Sequence, residues 1–98
     1  MLKHTRKSAS GTSFHGSEIH TTAGKLKSLF PNSYEESNNG MDKCNYDFTL
    51  EDVEGNVVTI YDWKEYRPIA DDEMIYFHIG GNSGDITERA REYLETVI

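Results

Sequence analysis

One cysteine, two prolines and no long apolar run set the first limits in this 98-residue sequence. A lone Cys44 can neither close an intrachain disulfide nor build a cysteine-based zinc site, and its position in an alternating strand suggests a small buried hydrophobe, with a reactive thiol as the alternative. No stretch approaches the ~20 consecutive apolar residues that a membrane span needs. The N-terminal residues 1–13 are basic and polar and lack the apolar segment of a signal peptide, so an intracellular protein is expected. No GxSxG, P-loop or Cys/His nucleophile pattern occurs. Ser13 and His15 form only a local pair with no third group. The four histidines, His4, His15, His20 and His78, have no HExxH or comparable ligand spacing. No catalytic residue, metal or cofactor is therefore expected, and binding is a better expectation than catalysis.

The length suits one domain with a single core, one that buries roughly 60–70% of its unfolded surface. The formal net charge is −7, and because Lys3, Arg6 and Lys7 place +3 in the first seven residues, the remainder carries −10. An acidic body repels nucleic-acid phosphates, so direct nucleic-acid binding is not expected.

Residues 1–10 have few apolar positions and no period, which predicts a flexible basic arm ahead of a domain at 11–98. The segment Gly11–Gly16 reads as an edge strand or a loop. Thr21 and Thr22 are good helix caps, Leu26, Leu29 and Phe30 share a helical face, and Pro31 is a stop, predicting a helix over 21–30. Residues 32–42 read as a polar loop with an Asn39-Gly40 step. Cys44, Tyr46, Phe48 and Leu50 alternate with Asn45, Asp47, Thr49 and Glu51, which predicts a strand wet on one face. A turn at 52–56 leads to a second strand over 57–63, rich in β-branched and aromatic residues. Residues 64–73 form a charged connector, Met74–Ile79 a third strand, and 80–84 a glycine-rich turn. Asp85 is the expected cap of a last helix that buries Ile86, Ala90, Leu94 and Val97. The expected fold is α+β: an antiparallel three- to four-stranded sheet packed with two helices in a two-layer single domain. Tyr61, Trp63 and Tyr76 fall on the sheet face opposite Tyr46; left exposed they would mark a stacking surface or an oligomer interface, but cover by the second helix would make them core, which is the expectation.

Three segments taken together, GTSF at 11–14, TIYDWK at 59–64 and FHIGG at 77–81, resemble a widespread group of small bacteriophage proteins. Those proteins carry a GTS-type start, a short helix ending in Phe or Phe-Gly before a proline, a TIYDWK or TIYNYK strand and a WHIGG or FHIGG end. The resemblance spans most of residues 11–81; Phe30 here runs directly into Pro31, and Phe77 stands where tryptophan is common. It implies a viral accessory protein that acts in the host cytoplasm by binding host machinery or host defence.

Two binding surfaces follow from the residues. Asp62, Lys64, Arg67 and His78 lie near strand ends beside Gly80 and Gly81. Glycine backbone N–H groups and a following helix N-terminus can cradle an anion, so a small nucleotide is one candidate ligand. The turn alone also accounts for these glycines, and a structural His78–Asp62 pair accounts for the side chains. The second surface is acidic: Glu35, Glu36, Asp47, Glu51, Asp52 and Glu54, with Asp42 among them, then Asp71, Asp72 and Glu73. Such density can present a phosphate-like face to a basic, nucleic-acid-processing host protein, with binding that weakens in salt; solubility alone is the plainer account. The leading expectation is direct inhibition of a host bacterial protein, with nucleotide sequestration as the alternative. Oligomeric state, a homo-oligomer included, stays open.

Overall fold

The computed structural model describes residues 1–37 and 44–98; the Asn39-Gly40 step and Asp42 lie outside the described residues. The strands are β1 (Lys3–His4), β2 (Ser13–Thr22), β3 (Tyr34–Glu36), β4 (Tyr46–Glu51), β5 (Val57–Tyr61) and β6 (Met74–Gly81), with helices α1 (Ala23–Leu29) and α2 (Gly84–Val97). They form one antiparallel sheet in the order β1-β4-β5-β6-β2, and β3 pairs with β4 as well. Since β5 holds one edge of β4, β1 and β3 share the other, β1 opposite Leu50–Glu51 and β3 opposite Tyr46–Phe48. The fold is the expected two-layer α+β domain, with more strands than the three or four expected. No helix among the described residues is long and apolar enough to cross a membrane.

Period two sorts the sheet into faces. Tyr46, Phe48, Leu50, Val58, Ile60, Ile75, Phe77 and Ile79 point to one side and pack with Ile19, Leu26, Phe30 and Leu94 in one core. Each large side chain buried in this way stabilises the fold by about 1.5–3 kcal/mol. Both helices cover this same face. Helix α1 starts where the Thr22 hydroxyl accepts from the Lys25 N–H at 3.1 Å, a cap that contributes about 1 kcal/mol. It buries Ala23 and Leu26 and ends at Phe30, just before Pro31. Helix α2 buries Ile86, Ala90 and Leu94. Its cap is Ser83, two residues before the expected Asp85, because Ser83 Oγ accepts from the Ile86 N–H. Asp85 stays in the first turn, where its charge suits the helix dipole.

The glycine-rich turn begins later than expected. Gly80 and Gly81 are the last residues of β6, paired with Phe14 and Ser13. A Cβ on Gly80 would lie 2.3 Å from Thr59 Oγ1, and one on Gly81 would lie 3.0 Å from the Thr87 methyl. The two glycines serve close packing, against β5 on one face and the first turn of α2 on the other.

The expected flexible arm is a strap. Leu2 is only 5% exposed and belongs to the core, Thr5 is buried, and Lys3–His4 pair with β4. Because β1 and β2 lie at opposite sides of the sheet, residues 5–12 cross its width. Lys7 Nζ anchors the crossing to Glu51 at 3.2 Å and to the Gly55 carbonyl at 2.8 Å. Val57 and Thr59 face away from the helices, yet both are buried, because the strap covers that end of the second face.

Candidate functional site

Beyond the strap, no helix covers the second face among the described residues. The helix predicted to make Tyr61, Trp63 and Tyr76 core lies on the other side, so Trp63 is 40% and Tyr76 62% exposed. The sheet register builds one transverse row on this open face: Glu35 opposite Asp47, Asp47 opposite Tyr61, Tyr61 opposite His78, and His78 opposite Glu18. At ~4.8 Å per strand the row is roughly 20 Å long, with aromatic rings at its centre and carboxylates at its ends.

His78 is the hub of the rings. Phe14 stacks on it at 4.0 Å between centroids, Trp63 lies nearly parallel at 6.3 Å, and Tyr61 meets it edge-on at 5.5 Å. Phe14 reaches this position through a bulge, since four steps from Phe14 to Glu18 on β2 match two on β6, and Gly16 takes φ +96° within it. His20 and Tyr76 form a second stack beside the row, at 4.2 Å. Glu18 Oε2 stands 3.9 Å from His78 Nε2.

The six residues proposed for a glycine-turn site do not converge. Asp62 is fully buried and serves as a clamp on the start of β4. Its carboxylate accepts from the Asn45 and Tyr46 N–H groups, both at 2.8 Å, and from Asn45 Nδ2 at 3.1 Å. It therefore makes no pair with His78. Asn45, expected on the wet face, is buried with it and also donates to the Arg67 carbonyl at 2.8 Å. Arg67 forks onto Glu73 through both terminal nitrogens. Gly80 and Gly81 are filled against by neighbours, as described. Only His78 and Lys64 reach the open face, with Lys64 Nζ 5.5 Å from the centre of the Trp63 ring. Lys64 and Tyr66 both take left-handed φ, 56° and 51°, so the connector that presents Trp63 carries backbone strain.

The acidic residues are also dispersed. Glu36 and Asp71 hold Lys27 at 2.8 and 2.9 Å, Glu51 holds Lys7, and Glu54 holds Arg89 at 2.7 Å. Glu73 is taken by Arg67. Asp52 accepts from the Glu54 and Asn56 N–H groups, both at 2.9 Å, and shapes the β4–β5 turn. Asp72 is exposed on the connector before β6. Glu35 and Asp47 differ from the rest: they stand opposite each other on the open face, where like charges destabilise a sheet. Burial, then the charges of Glu35 and Asp62, push the Asp47 carboxyl above its ordinary range.

The Ser13–His15 pair is not a nucleophile and base. His15 Nε2 lies 3.0 Å from the Gly81 carbonyl and 3.2 Å from Ser13 Oγ. A carbonyl only accepts, so Nε2 must carry the proton for that bond and cannot take one from Ser13. Among the described residues, no three His, Cys, Asp or Glu side chains converge as a metal site would require. Sequence reasoning missed Phe14 and Glu18 as site residues, and for Tyr61 and Trp63 it preferred core to an exposed stacking surface. The available signal was the aromatic content on the polar phase of β5 and β6. No protein-family model matches this chain, and neither a curated protein nor a solved structure shows significant similarity to it.

Proposed function

We propose that this is a non-enzymatic binding protein that docks a basic surface of another protein on its open sheet face. The observation that carries the reading is the row from Glu35 to Glu18. Half-buried Tyr61 and His78 form its centre, the exposed rings of Phe14 and Trp63 lie against His78, and carboxylates rim it, on a face that no helix covers among the described residues. Aromatic anchors surrounded by charge are the usual anatomy of a protein interface, and a negative rim selects basic partners and speeds their approach. The resemblance to small bacteriophage proteins supplies the setting. In a host cytoplasm, a defence or nucleic-acid-processing protein has a basic surface of this kind, and occupying that surface would inhibit it.

The nucleotide-sponge alternative has less support. Arg67 is engaged by Glu73, the glycines are packed, and Asp47 and Glu18 would repel a phosphate. Co-purification from defence-active bacterial cells tests the docking reading, using the wild type, Trp63→Ala, and Glu92→Lys on the exposed side of α2. A host protein retained by the wild type and Glu92→Lys, lost with Trp63→Ala and released by salt, is the expected result. Equal retention by all three variants would refute docking through this face.

A further inference from the structure

Three shallow depressions, of about 250, 210 and 270 Å³, have Asp47 as a common wall. The one of about 210 Å³ lies between the strap and the sheet. Ala9 and Thr12 line it from the strap, and Ser13, Thr59, Tyr61 and Asp47 line it from the sheet. It therefore offers three aliphatic hydroxyls, the Tyr61 phenol and its ring, and one carboxylate around a single space. No ion pair reaches Asp47 among the described residues, although Glu36, Glu51, Glu54, Asp71, Glu73 and Glu88 all have one.

We propose that this strap-side cavity is a guanidinium seat, which takes an arginine side chain of the protein docked on the open face. The inference rests on the docking reading and names the chemistry recognised there. A guanidinium is planar, carries five donors and no acceptor, and forks onto a carboxylate while lying on a ring. Asp47 supplies the carboxylate, Tyr61 the ring, and the hydroxyls of Thr12, Ser13 and Thr59 have lone pairs for the remaining donors. An ammonium uses the carboxylate but not the plane, so arginine is preferred to lysine. An anion is repelled by Asp47 and by Glu35 opposite it. The chain itself places cations on this face in both modes: Lys7 on the Glu51 carboxylate at 3.2 Å and Lys64 over the Trp63 ring at 5.5 Å. The strap completes the cavity, which gives the basic N-terminal segment a role as a wall.

The test is an amide NMR titration of the full chain with N-acetyl-arginine amide, N-acetyl-lysine amide and the uncharged N-acetyl-citrulline amide. The arginine derivative should shift the amides of Asp47, Tyr61, Thr12 and Ser13 in a saturable way. The lysine derivative should bind several-fold more weakly and citrulline should leave the spectrum unchanged. Asp47→Asn should weaken arginine binding about tenfold, the loss of one charge-assisted contact, while amides on α2 keep their positions and show that the fold is intact. Shifts that spread over all acidic residues without saturation, that are equal for arginine and lysine, or that persist in Asp47→Asn would overturn the seat. If the seat fails while Trp63→Ala still abolishes partner capture, docking stands without it. If arginine binds while Trp63→Ala leaves capture intact, the docking reading is the one that falls.

Discussion

Replacing Asp62 by alanine separates a structural carboxylate from a ligand residue. The side chain is fully buried and is the shared acceptor for the Asn45 N–H, the Tyr46 N–H and Asn45 Nδ2. Truncation leaves these three donors without their acceptor. At about 1–3 kcal/mol for each buried donor left unsatisfied, with some relief from water entering the space, the loss comes to about 3–5 kcal/mol. A domain of this size has about 5–15 kcal/mol in total, so Asp62→Ala should remove a substantial fraction of its stability. Asp62→Asn keeps one acceptor oxygen but turns an amide donor towards Asn45, and should cost about 2 kcal/mol. Urea unfolding followed by circular dichroism reads both. With a slope of about 1.5 kcal/mol per molar urea, the alanine variant should lose roughly 2–3 M in midpoint. Hydrogen exchange at Asn45 and Tyr46 should accelerate ahead of exchange in β6. A loss below about 1 kcal/mol, smaller than the penalty for even one orphaned charge-assisted bond, with both amides still protected, would refute the clamp and return Asp62 to the list of ligand residues.

Gly80→Ala should cost about 1–3 kcal/mol through overpacking, because the new Cβ falls 2.3 Å from Thr59 Oγ1; Thr59→Ala in the same chain should recover part of it, and an additive double-mutant cycle would contradict the contact. Asp47→Asn should raise stability at pH 7. The folded state lifts this carboxyl above its ordinary value of 3.8, so ionising it disfavours the native state, and the penalty grows as pH rises through the folded pKa and persists above it. The gain should vanish below about pH 3.8 in paired melts of the two proteins, and a gain independent of pH would contradict the electrostatic cause.

The strands over 46–51, 57–61 and 74–81 and both helices are visible in the residues because each buries one regular face, and a regular face leaves a period. Strands β1 and β3, two and three residues long, are too short to show one. The strap escaped for a related reason: Leu2 and Thr5 are buried singly, by crossing the sheet, and a crossing segment has no repeating face. Gly80 and Gly81 read as a turn because two adjacent glycines usually mark one; their place in β6 depends on Thr59 and Thr87, which are distant in sequence. The open face was the largest gap. Amphipathic patterning shows that α1 and α2 each bury a stripe, but not that both choose the same side of the sheet. That choice leaves Trp63 and Tyr76 exposed and Tyr61 half-buried instead of in the core. Of the candidate site, His78, Lys64, Glu35 and Asp47 were within reach of sequence reasoning. Their assembly into one row depends on strand register, which no local pattern encodes.

Three features on the open side of the sheet each work against folding. Glu35 and Asp47 oppose each other with no ion pair to either among the described residues, Trp63 and Phe14 keep about two-fifths of their surface in water, and Lys64 and Tyr66 hold left-handed backbone. Each has a simple local remedy: a lysine at 35, a polar residue at 63, a glycine at 64 or 66. Elsewhere the chain uses such remedies freely, as where Lys27 sits between Glu36 and Asp71 or Arg91 between Glu88 and Glu95. Unrelieved features scattered over a surface would mean only that stability is not optimised. Here they meet along one row and the connector beside it, and local rules broken together at one place mark a surface kept for another purpose. A basic partner with an arginine at Asp47 and an apolar contact on Trp63 would relieve the first two directly, which is why the docking face and the stability cost belong to the same residues.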